Sequence, residues 1–132
     1  MIITGDNGET IEICNLGRLY PQSTEEAEAD LMKCKVNVNL QGFAASFSFH
    51  SRKSELNYWK QALQGILNQE TKDVHLSTLE GDISLFLQVD LLGRLYCFAN
   101  FVYPVESANK LSFKMCINDI NSFIIGLNEI IE

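Results

Sequence analysis

From Cys34 to Phe49 the chain alternates apolar and polar residues, interrupted once by Gln41-Gly42. A period of two puts successive side chains on opposite faces of an extended backbone. Cys34, Val36, Val38 and Leu40 therefore share one face of a half-buried strand. Phe43, Ala45, Phe47 and Phe49 share one face of a second strand, or Phe43 ends it. With a turn at Gln41-Gly42 the two runs make a hairpin. Immediately after His50 the period changes. Leu56, Trp59, Leu63, Ile66 and Leu67 recur at spacings of three and four, predicting a helix near residues 52–68 with Ser51 as its N-cap.

The same reading extends along the chain. Ile2-Ile3-Thr4, a turn at Gly5-Asp6-Asn7-Gly8 and the alternating run 10–14 predict a first hairpin. Residues 20–29 read as a loop, with Pro21 unable to donate to a strand ladder. Strands are expected over 74–79, 83–89, 95–103 and 111–117, separated by turns at Glu80-Gly81-Asp82 and Leu92-Gly93-Arg94. Asp119 is placed to cap a terminal helix whose apolar stripe is Ile120, Phe123, Ile124, Leu127 and Ile131. Strands joined by short turns pair antiparallel, so the expected fold is α+β: an antiparallel, strongly curved sheet with two helices packed on it in two layers. The second face of that sheet is either solvated or closed by curvature. Leu-Gly-Arg-Leu-Tyr occurs at 16–20 and again at 92–96, but the flanks disagree, so it reads as chance or a shared bulge rather than a repeat.

At 132 residues the chain is one domain, expected over 1–132, with enough length to bury a core without metal or disulfide staples. No run of about 18 apolar residues is present, and the first residues lack the pattern of a signal peptide, so a cytoplasmic protein is expected. Its net charge of −7 would repel phosphate backbones, which argues against direct nucleic-acid binding. Cys14, Cys34, Cys97 and Cys116 form no CxxC pair and are expected as free thiols.

Catalytic signatures are missing. There is no phosphate-binding glycine loop, no nucleophile elbow and no H-E-x-x-H. His50 and His75 have no partner readable in the sequence, and no metal or cofactor is expected. Trp59 fits the helix stripe and reads as core. Tyr20 and Tyr103 each precede a proline and read either as binding-face anchors or as packed strand ends. The densest charge feature is the carboxylate run Glu25, Glu26, Glu28 and Asp30, which lacks EF-hand spacing. It reads as a solvated loop, or as a docking surface for a basic protein.

Several of these segments, taken in order, resemble the WapI-like family of bacterial immunity proteins. Leu19-Tyr20-Pro21, the acidic loop and Asp30-Leu31 open the likeness. Gly42-Phe43-Ala44-Ala45-Ser46-Phe47, the helix from Leu56 to Leu67 and Glu80-Gly81 continue it. Gly93, Leu111-Ser112-Phe113 and the Asp119-capped helix complete it. The resemblance implies a non-enzymatic protein that binds and neutralises a cognate toxin domain, commonly a nuclease with a basic cleft. On that reading Glu25, Glu26, Glu28 and Asp30 are the expected partner-binding residues. The toxin protein is the expected partner, with no direct contact to nucleic acid or membrane. The alternative is a small-ligand or regulatory domain, with some of its eight Phe and four Tyr lining an apolar pocket.

Overall fold

Strand pairing follows chain order throughout the computed structural model, which describes residues 1–131 apart from the side chains of Glu26, Ala27, Ile130 and Ile131. Strands β1 (Ile2–Thr4), β2 (Thr10–Arg18), β3 (Leu31–Leu40) and β4 (Phe43–Arg52) form one four-stranded antiparallel sheet. Strands β5 (Asp73–Ser77), β6 (Ile83–Val89), β7 (Leu95–Val102) and β8 (Lys110–Cys116) form a second. Helix α2 (Lys53–Leu67) links the sheets, α3 (Ile120–Ile131) follows the second, and a single helical turn, α1 (Glu26–Ala29), interrupts the loop between β2 and β3. The α+β class, the antiparallel pairing and the two long helices are as the sequence predicts.

The eight strands divide where a helix replaces a hairpin. β4 and β5 are joined through α2, so they do not pair, and the sheets meet instead at the bridge Gly5↔Ile117. Both sheets turn their alternating apolar residues into one core. Ile11, Val36 and Phe49 come from the first sheet and Leu85, Cys97 and Phe101 from the second. α2 adds Leu56, Trp59, Leu63 and Ile66, and α3 adds Phe123, Ile124 and Leu127. The side chain of Ile131, also expected on that stripe, lies outside the described residues.

One local expectation changes, and two open alternatives are decided. Ser51 does not cap α2. It is buried within β4 opposite Met32, and the strand continues one residue further, to the pair Leu31↔Arg52, so Arg52 holds the cap position. A strand running directly into a helix leaves no loop residue to act as a cap. The repeated Leu-Gly-Arg-Leu-Tyr has two unrelated structures. Gly17 (φ 113°) sits at a bulge in β2, whereas Gly93 (φ 80°) forms the turn before β7. Of the two readings of Phe43, the second holds: it ends its strand and is exposed. The Asp119 cap does form, with Oδ1 accepting from the Asn121 N–H at 2.9 Å and Oδ2 from the Ser122 hydroxyl at 2.8 Å.

Glu55, in the first turn of α2, supplies part of what Ser51 does not. Burial pushes its carboxyl above the ordinary carboxylate range, against the backbone N–H groups of Leu79 and Arg52, the Arg52 charge and the Ser51 hydroxyl. Its Oε2 is buried with no hydrogen-bond partner among the described residues. A carboxyl whose pKa rises on folding supports the native state when protonated, and that support is lost as pH rises through the raised pKa. Wild type should therefore lose stability relative to Glu55→Gln as pH rises above the ordinary glutamate range. Paired thermal melts check this, and a difference that stays flat with pH refutes it.

All four cysteines are free thiols. Cys34 and Cys97 are fully buried, and burial pushes their thiols up to about 11 and about 12. Neither is a nucleophile at neutral pH.

Candidate functional site

The expected carboxylate cluster lies on the connection from β2 to β3. Tyr20 and Ser23 make a turn, with the Ser23 N–H donating to the Tyr20 carbonyl at 3.1 Å. The Ser23 hydroxyl then accepts from the Glu25 N–H at 3.1 Å, and the turn α1 closes with the Ala29 N–H on the Glu25 carbonyl at 2.8 Å. Glu25 is exposed and Glu28 half-buried. The side chain of Glu26 lies outside the described residues.

Asp30 is different in kind. Its carbonyl accepts from the Lys53 N–H at 3.1 Å, and its Oδ2 accepts from the Ser54 hydroxyl at 3.0 Å. A carboxylate here also meets the positive end of the α2 dipole. Asp30 therefore fastens the acidic loop to the start of α2, so Glu25 and Glu28 project from an anchored segment rather than a loose one. These bonds join residues more than twenty positions apart, and the local sequence gives no sign of them.

The histidines do not converge. His50 is exposed on the outer side of the first sheet, opposite Lys33. His75 is on the second sheet, its Nε2 at 2.6 Å from the Ser84 hydroxyl and its ring edge-on to Phe86. Among the described residues, no three His, Cys, Asp or Glu side chains gather to hold a metal ion.

Two surfaces went unread in the sequence. On the outer face of the second sheet the register aligns His75, Phe86, Phe98 and Lys114 in one row across all four strands. The Lys114 ammonium sits 4.3 Å from the Tyr96 ring centroid, a cation–π contact. The second surface is an open cleft of about 380 Å³ between the start of β4 and the β7–β8 end of the other sheet. Phe43 to Phe47 form one wall, and Phe101, Tyr103 and Asn109 to Leu111 form the other. Tyr103, half-exposed, stacks on Phe47 with ring centroids 4.9 Å apart. Tyr103 is thus both packed at a strand end and part of an accessible wall, while Tyr20 is exposed. The absence of charge from Phe43 to Phe47 was the available signal for the cleft, but its second wall lies more than fifty residues away.

No helix among the described residues is long and apolar enough to cross a membrane. No curated protein and no solved structure matches the chain. A family model does match, that of the Immunity protein WapI-like family, and it spans residues 1–132. With the whole sequence covered from the first strand to the terminal helix, the chain belongs to the WapI-like immunity protein family.

Proposed function

We propose that this protein binds and neutralises a cognate nuclease toxin in the cytoplasm, without catalysis, by presenting Glu25, Glu26 and Glu28 to the toxin's basic cleft. Asp30 serves the same face by holding the loop to α2. Family membership over the full chain is the observation that carries this reading. The net charge of −7 supports it, because opposite charge accelerates encounter and disfavours wrong partners.

The test is to reverse Glu25, Glu26 and Glu28 to Lys together and follow association with the toxin domain encoded beside this gene. Association should slow by about tenfold or more, and wild-type association should itself slow from low to physiological salt. Dissociation should change less, and so should the melting temperature, because solvated charges contribute little to stability. Unchanged association would remove the loop from the interface and leave the immunity role standing. Failure to protect cells that express the toxin would remove the role. The small-ligand reading, which rests on the aromatic cleft alone, would then take its place.

A further inference from the structure

Sheet edges expose unpaired N–H and C=O groups, and proteins usually guard them with short strands, charge, proline or bulges. Three of the four edges here are guarded. β1 is three residues long, β5 is five residues long and carries Asp73, and β8 carries Lys110 and Lys114. The end of β8 is also tied down, with the Asp6 N–H on the Cys116 carbonyl at 3.0 Å.

β4 has none of these devices over most of its length. It runs ten residues in unbroken register with β3, from Leu40↔Phe43 to Leu31↔Arg52, with no proline and no charged Lys, Arg, Asp or Glu before Arg52. Among the described residues no strand pairs with its other side. The open cleft lies along this free edge, since five consecutive residues, Phe43 to Phe47, line it from both faces of the strand. At about 3.3 Å per residue they offer roughly 13 Å of edge.

We propose that this edge is a docking site for an extended segment of the toxin partner, which adds a fifth strand to the first sheet and sets alternate apolar side chains against Phe47, Tyr103 and Leu111. The proposal rests on the immunity reading and adds a second contact to the acidic loop. Charge selects the occupant. β3 and β4 carry Lys33, Lys35 and Arg52 but no carboxylate, in a protein whose net charge is −7. Lys110 lines the cleft and, among the described residues, pairs with no carboxylate. The docked segment therefore carries a carboxylate to meet Lys110. A second copy of this chain, pairing edge to edge, fits less well, because its own β4 carries no carboxylate to meet Lys110. Main-chain bonds of this kind supply affinity, and the side-chain alternation supplies specificity.

The experiment is amide hydrogen exchange on the full chain, free and mixed with the neighbouring toxin domain, beside a binding titration. Added-strand pairing engages alternate residues, so every second amide across Phe43–Phe47 should slow by about tenfold or more in the mixture. Ala45→Lys places a charge in the cleft, and Lys110→Glu reverses the selecting charge. Each should weaken binding by about tenfold. Should Ala45→Lys fail to fold, Lys110→Glu and the wild-type exchange pattern still decide. Binding without slowed exchange at Phe43–Phe47 overturns strand docking and leaves immunity intact. Absence of binding overturns both. Protection of these amides in the free protein, rising with concentration alongside a doubled mass, assigns the edge to a second copy and overturns the proposal.

Discussion

Replacing Trp59 with alanine is expected to cost about 3–5 kcal/mol of folding stability. Trp59 is 1% exposed on α2 and belongs to the core shared by both sheets and both long helices. Truncation removes the transfer free energy of the ring and leaves a void that these four elements cannot all close upon. Helix propensity improves slightly in the variant, by a few tenths of a kcal/mol, far too little to offset the void. Marginal domains hold about 5–15 kcal/mol in total, so the variant should melt at a much lower temperature or not fold at all. Chemical denaturation monitored by circular dichroism checks this. A loss below about 1 kcal/mol would place the indole outside the core.

Thr78→Val should cost about 2–4 kcal/mol, although valine nearly matches threonine in shape. Thr78 and Asp82 are both buried in the turn between β5 and β6, where the Thr78 hydroxyl donates to the Asp82 carboxylate. The same hydroxyl accepts from the Ile83 N–H at 3.1 Å, and the Val102 N–H donates to the Asp82 carbonyl at 2.9 Å. Valine thus leaves a carboxylate and an N–H without that partner in a place where water does not replace it. Asp82→Ala should be costly for the same reason, while the double variant should lose clearly less than the two single losses together. Denaturant midpoints for the three variants give the coupling, and strict additivity would show that the two side chains act independently.

Legibility of the sequence stopped where contacts became long-range. The stripe Leu56, Trp59, Leu63 and Ile66 was readable because helical spacing is a local property, and the Asp119 cap was readable for the same reason. Ser51 misled because its residue type suits a cap, while its pairing with Met32 depends on a residue nineteen positions earlier. Alternation tells which side of a strand is buried but not which strand lies beside it, so the division into two sheets was not legible. At the candidate site the charge of Glu25, Glu26 and Glu28 was visible directly. The grip of Asp30 on Ser54, which fixes how that charge is presented, was not. The two walls of the cleft are likewise separate in the chain and adjacent only in the fold.

The nearest-neighbour order of the strands has a kinetic consequence. Every pair within either sheet joins strands consecutive along the chain, so the meanders form from contacts of low sequence separation and close quickly. The bridge Gly5↔Ile117 and the seating of α3 on β1 span most of the chain instead, and the packing of α3 on α2 spans about half of it. Those closures carry the larger loop entropy and belong late in assembly. Since α3 follows everything it covers, a nascent chain can complete both sheets while the apolar side of α2 still lacks its lid. Until residues 120–131 leave the ribosome, the growing protein presents chaperones with the surface that will become its own centre.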